Sequence, residues 1–262
     1  MIDTTDNNPT DTMKLKLYQL NVNKSLTAHS CLINQIQQDD DVILIQEPYI
    51  SKQGKLRATQ GWLSIYPTNH EQNPHLTRAV TLVNWSLSTN TWSSIVLDTQ
   101  DAVTMSLQAP AETIIIVNIY SDGDSMVSWN TIDAMLKKYT AKQRDERGLP
   151  YRFICTGDWN AHHHIWDEPR NSHLFTDRAL ERAGHLLQLV GRHHLKMPLP
   201  AFIPTLRAFS TGNYTRVNNV FCSDELLPAF IQCTIDYAAQ PPRTDHFPIQ
   251  PCLLEFCMKC VS

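Results

Sequence analysis

Two apolar runs open the patterned part of the chain, Leu15–Leu20 and Asp41–Ile45, each of the length of a buried strand. Between them Ala28, Cys31, Leu32 and Ile36 recur at helical spacing behind Ser25, a residue suited to cap a helix, so the pattern predicts a β-α-β opening. Short β-branched segments separated by turn residues follow, at Trp62–Tyr66, Ala79–Trp85, Ser93–Leu97, Ala102–Leu107 and Thr113–Ile119. A second helix is predicted over Ser125–Tyr139, with Trp129, Ile132, Leu136 and Tyr139 on one face. A third covers Thr176–Val190, with Leu180, Ala183, Leu187 and Val190 toward the core. Tyr151–Cys155, Thr215–Cys222, Phe230–Ile235 and Phe247–Phe256 complete the strands. With no repeat, linker or composition break, the pattern predicts one domain over residues 14–256, built as two packed sheets with helices outside.

Composition narrows the class. At 262 residues, with 42% hydrophobic and 18% charged positions, the chain can bury a large core, and no run of 18 apolar residues is present to span a membrane. Met1–Met13 is polar and acidic and reads as a disordered leader, and residues 257–262 as a frayed end. Seven cysteines, an odd number lying mostly in apolar strands, suggest reduced core thiols and an intracellular protein. Cys257 and Cys260 have the spacing of half a zinc site, but no second such pair exists. A net charge of −4 gives no global basic footprint.

Chemistry-bearing residues gather at the ends of the predicted strands. Glu47 closes a buried strand and is a single-carboxylate anchor of the kind Mg²⁺ uses; its plainer reading is a solvated strand end. Asp158 and Asn160 follow Phe153-Ile154-Cys155 and Gly157, and at i and i+2 of an extended segment both would face one pocket. Asp158 would orient or deprotonate a water and Asn160 would donate to a phosphate oxygen, unless the pair simply closes an Asx turn. Asp245-His246 has the makings of an acid/base or phosphate-stabilising pair, although most single histidines are structural. Asn21 and Asn23 end the first strand within reach of Glu47, and Tyr120 ends another, as a phosphate contact or as packing. Three consecutive histidines, His162-His163-His164, cannot all face one ion and are read as a loop. The basic stretch Lys137, Lys138, Lys142, Arg144 and Arg147 is read as a solvated helix end.

Taken in order, Gln19-Leu20-Asn21-Val22-Asn23, Gln46-Glu47-Pro48, Asn118-Ile119-Tyr120, Gly157-Asp158-Trp159-Asn160-Ala161-His162-His163, Arg216-Val217-Asn218-Asn219 and Thr244-Asp245-His246-Phe247-Pro248 resemble one superfamily. It is the exonuclease-endonuclease-phosphatase superfamily, and within it the endonuclease domain of non-LTR (LINE-type, Tad-like) retrotransposons. The resemblance spans about Lys14 to Phe256. It implies an α/β fold, a four-layer α/β/β/α sandwich of two mixed sheets, and a monomeric nuclear hydrolase with DNA as partner. It further implies Mg²⁺ or Mn²⁺ without an organic cofactor, and a nick that leaves a 3′-hydroxyl to prime reverse transcription. Glu47 would hold the metal with Asn21 in support, and Asp245 would lie near it. Asp158, beside Asn160, would position the water, Tyr120 would contact the phosphate, and His246 would stabilise it. The family reads aspartate where this chain has Asn218, which can accept from the histidine but lends it no charge. A weakened or dead copy of the domain is therefore a second expectation, and a phosphoesterase acting on abasic DNA, RNA or a lipid or inositol phosphate a third.

Overall fold

The computed structural model describes residues 14–36, 40–57 and 60–254; the acidic leader, the Cys257–Cys260 pair and the expected C-terminal fraying lie outside the described residues. In chain order the elements are β1 (Lys14–Asn21), α1 (Leu26–Gln35), β2 (Val42–Gln46), β3 (Trp62–Ile65), β4 (Ala79–Asn84), β5 (Trp92–Ile95), β6 (Ala102–Gln108), β7 (Thr113–Tyr120), α2 (Val127–Lys142) and β8 (Tyr151–Asp158). They continue with α3 (Asp177–Arg192), β9 (Leu195–Lys196), β10 (Leu206–Arg207), β11 (Tyr214–Thr215), β12 (Asn218–Ser223), β13 (Phe230–Ile235) and β14 (Ile249–Leu254). Ser25 caps α1 as predicted, its side chain accepting from the Ala28 N–H.

Two mixed six-stranded sheets carry the fold, ordered β13-β14-β1-β2-β4-β3 and β5-β6-β7-β8-β12-β9. Each has one parallel pair, β1 with β2 and β7 with β8. Alternation along each strand explains the layering. Leu15 and Leu17 of β1, Val42 and Leu44 of β2, and Ile114 and Ile116 of β7 fill the space between the sheets. Their neighbours turn outward: Tyr18, Leu20, Ile43 and Ile45 pack with Ala28 and Leu32 of α1. On the opposite face Ile115, Val117 and Ile119 pack with Trp129 and Ile132 of α2 and Ala183 and Leu186 of α3. The molecule is thus an α/β/β/α sandwich. Among the described residues no helix is long and apolar enough to cross a membrane.

Two expectations shift. The segment Thr215–Cys222 is not one strand: β11 ends at Thr215 and β12 begins at Asn218, because the Val217 and Asn218 amides both donate to the Thr205 hydroxyl, at 3.2 and 3.0 Å. The buried face of α3 is Ala183, Leu186 and Leu189, with Leu187 and Val190 only partly covered and Leu180 at the margin. The helix is rotated so that Arg182 also faces inward, over the Trp129 ring at 4.2 Å.

Candidate active site

Parallel pairing brings the ends of both pairs to one rim of the sandwich. Asn21 lies in register with Gln46, and Tyr120 with Asp158. Asn218 opens β12 directly opposite Asp158. The backbone then turns sharply just past two of these strand ends: Glu47 has φ 45° and Asn160 φ 46°, left-handed conformations that are uncommon outside glycine. Gly157 has φ 147°, and a Cβ there would meet the Ile119 carbonyl oxygen at 1.9 Å, so β7 and β8 can pair this closely only around a glycine.

Asn21 joins the two sheets. Its side-chain amide donates to Asp158 Oδ2 at 2.8 Å and approaches Glu47 Oε2 at 3.5 Å, while its Oδ1 accepts from the Asn23 N–H at 2.8 Å. It therefore presents N–H groups, and not its oxygen, to the two carboxylates. Glu47, 17% exposed, has Lys24 Nζ 3.8 Å from Oε1. His246 is buried between carboxylates: Nε2 lies 3.8 Å from Asp158 Oδ2 and 3.7 Å from Asp245 Oδ1, and Nδ1 lies 3.2 Å from Asn218 Oδ1. The Nε2 separations are longer than a hydrogen bond and suit a bridging water or phosphate oxygen. The backbone of Asp245 and Phe247 is held by Arg207 and Thr205, and the Thr244 hydroxyl donates to the Asn21 carbonyl at 2.8 Å.

Burial sets the proton affinities. It lifts the Asp158 carboxyl to about 6, against the pull of the Asn21 and Asn160 hydrogen bonds and of His162 and Arg182 nearby. Burial lowers His246 to about 4, opposed by Asp245 and Glu47. The Tyr120 hydroxyl is pushed up, first by burial and then by the Glu47 and Asp158 carboxylates, so it stays protonated.

Seven of the eight predicted residues, Asn21, Glu47, Tyr120, Asp158, Asn218, Asp245 and His246, meet at this rim. Asn160 is placed differently from the extended i, i+2 arrangement. Its N–H donates to Asp158 Oδ1 at 3.1 Å, forming the Asx turn, and its side-chain amide donates to the Ser121 carbonyl at 2.7 Å. One N–H of that amide is thus spent on the neighbouring loop. The three adjacent histidines diverge, His162 toward Asp167, His163 against Trp166 and His164 against Phe175. Pattern reading missed Arg182, on α3, which donates to the Asn160 carbonyl at 2.6 Å, the Ser121 hydroxyl at 2.8 Å and the Asp122 carbonyl at 2.5 Å. Its only signal was an arginine on the apolar side of an amphipathic helix.

The family model described as endonuclease-reverse transcriptase matches residues 114–250, more than half of the 262-residue chain. The chain belongs to this family. That membership places it in the exonuclease-endonuclease-phosphatase superfamily. No curated protein sequence matches it. Among solved structures it is similar to the endonuclease domain of TRAS1, a telomere-specific non-LTR retrotransposon, at 20% identity and a TM-score of 0.69, covering 91% of this chain and 98% of that one. It is similar to the AP endonuclease LMAP of Leishmania major at 13% identity and a TM-score of 0.69, over 92% and 88% of the two chains. The 3′-5′ exonuclease NExo of Neisseria meningitidis matches at 15% identity and a TM-score of 0.64, over 92% and 100%. At these identities the likeness is one of fold.

Proposed function

We propose that the chain is a divalent-metal-dependent DNA endonuclease of non-LTR retrotransposon type, nicking target DNA to leave a 3′-hydroxyl from which reverse transcription is primed. The observation that carries this reading is the Asn21 amide reaching across the sheets to both Glu47 and Asp158, with His246 3.8 Å from the same Asp158 oxygen. A nuclease needs separate groups for the cation, the water and the phosphate, and here they stand side by side.

The donor set suits a hard cation. Glu47 and Asp245, 17% and 22% exposed, offer carboxylate oxygens, with Lys24 Nζ 3.8 Å from the one and His246 Nε2 3.7 Å from the other. A few carboxylate oxygens of this kind suit Mg²⁺ or Mn²⁺, ions that keep most of their water. Glu47 would hold the ion with Asp245 close by, and Asn21 would hold Glu47 and Asp158 apart. When bound, the ion supplies Lewis-acid charge to the phosphate oxygens. Asp158 accepts a proton from, or orients, the attacking water; Tyr120 donates its hydroxyl to the phosphate, and the free N–H of Asn160 donates beside it. His246 faces the phosphate through Nε2.

A second reading, a weakened copy of the enzyme, draws on one observation. The Asn218 Nδ2 is buried with no hydrogen-bond partner, as expected where a carboxylate oxygen would sit more comfortably. Asn218 accepts from His246 but adds no charge to stabilise an imidazolium.

Nicking of supercoiled plasmid with Mg²⁺ tests both. The chain as it stands nicks slowly, Asn218→Asp nicks at least about tenfold faster, and His246→Ala loses about a hundredfold or more. If only Asn218→Asp nicks, the chain is a silenced nuclease with its site otherwise intact. If no folded variant nicks DNA, the endonuclease reading fails.

A further inference from the structure

The loop after β8 contains a second aspartate–histidine pair that the scheme above does not use. His162 Nδ1 lies 3.0 Å from Asp167 Oδ2, with Asp167 almost wholly buried and His162 30% exposed. The other Asp167 oxygen is occupied by the Asn171 side-chain amide at 3.0 Å and the Arg216 backbone N–H at 3.2 Å, so the carboxylate cannot turn away. The imidazole stacks on Phe175, with ring centroids 5.6 Å apart and planes 18° apart. The loop itself is pinned: Asp167 and Trp166 donate their backbone N–H groups to the His163 carbonyl, and the buried Trp166 indole donates to Ala161 at 3.1 Å. Ring and backbone are therefore both preset.

We propose that His162 is a further substrate-contacting residue. Its ring, anchored through Nδ1 on Asp167, leaves Nε2 to take a backbone phosphate of the nucleic-acid strand, next to the phosphodiester that is cut. This rests on reading the site as a nuclease.

Three observations converge on it. A carboxylate accepts only, so Nδ1 carries the hydrogen and a phosphate meeting Nε2 finds a ring already held from behind. Nε2 makes no hydrogen bond among the described residues. His162 lies on the loop that leaves β8 at Asp158, four residues past that carboxylate and two past Asn160. An anchored, half-open imidazole on a loop leaving the site suits a phosphate, and nucleic acid offers one every few ångströms. This is the arrangement that Asn218 denies to His246: a histidine backed by a true carboxylate.

The two ring nitrogens can be tested separately. An asparagine at 162 can still reach Asp167 as Nδ1 does, whereas a glutamine places its amide near the position of Nε2. Affinity for a duplex oligonucleotide in EDTA, and KM and kcat for Mg²⁺-dependent nicking, are measured for the native chain, His162→Ala, His162→Asn and His162→Gln, with thermal unfolding as the fold check. His162→Ala and His162→Asn should weaken DNA binding and raise KM about tenfold, the scale of one charge-assisted contact, while His162→Gln stays within about threefold of the native chain. If the alanine variant binds and nicks like the native chain, the inference is wrong. If asparagine restores the native values and glutamine does not, the pair is only a loop anchor and the inference is also wrong. A native chain that neither binds nor nicks DNA would instead remove the nuclease reading on which it stands.

Discussion

Asp158 and His246 are buried side by side with their proton affinities displaced in opposite senses, to about 6 and about 4. For Asp158 the folded value lies above the unfolded one, so its favourable contribution is complete below about 4 and is lost as pH rises through about 6. For His246 the folded value lies below the unfolded one, so its contribution is complete above about 6.5 and is lost as pH falls toward about 4. In the metal-free protein a buried Asp158 carboxylate is therefore a burden at neutral pH. Replacing it with asparagine should be more favourable to stability at pH 8 than at pH 4.5, by about 2 kcal/mol from the Asp158 proton alone. Chemical denaturation in EDTA at the two pH values measures this; a difference of zero or of opposite sign would show that Asp158 is already ionised without strain. These residues stood out in the sequence because Asp158 ends one apolar run and His246 immediately precedes another. The partners that fix them were not. Thr205 and Arg182 act through hydrogen bonds to backbone from elements far along the chain, and no local pattern marks such a role.

At the scale of elements, Gly157 is the narrowest point of the fold. Parallel β7 and β8 run in register through Ile119 and Gly157, and the 1.9 Å clash a Cβ would make is with backbone, which cannot move aside without parting the strands. Gly157→Ala should cost about 3 kcal/mol or more, both from the clash and from the φ of 147°, and should abolish activity by displacing Asp158. A urea titration with an unchanged midpoint would count against this. The strands and helices themselves were read well from periodicity, since apolar alternation of period two and recurrence at three and four residues follow directly from burial. Two features were not. The α3 face was misjudged by part of a turn, because Leu187 and Val190 are apolar without being fully covered while Leu186 and Leu189 take the core. The break at Arg216–Val217 was hidden because Arg216, fully buried, satisfies its guanidinium on Asn219 Oδ1 and the Pro200 and Leu199 carbonyls, a long-range solution invisible in a local window.

At the scale of the whole molecule, what sets one sheet against the other beneath the site is not apolar. Gln19 donates to Gln46, and Gln46 donates to Asn118 Oδ1 at 2.6 Å. Asn118 in turn donates to the Val80 carbonyl at 2.9 Å and the Ile45 carbonyl at 3.2 Å, so β1, β2 and β4 are tied to β7 through fully buried amides. Apolar contacts between sheets are non-directional and tolerate sliding, whereas a chain of amides is satisfied in one register. That chain lies one residue before Glu47 and two before Tyr120, so the register it fixes is the register of the site. Asn118→Ala would leave Gln46 and two β-strand carbonyls short of a partner in a dry interior, at a cost of about 3 kcal/mol or more. It should also slow nicking by about tenfold at a temperature where the protein is fully folded, because Glu47 and Tyr120 would lose their fixed separation. Denaturation and nicking assays on Asn118→Ala, Gln46→Ala and the double variant give the coupling directly. Strong non-additivity in both stability and rate is expected of a continuous tie, while additive losses would mean that the two amides act separately and that the register is held by the apolar core instead.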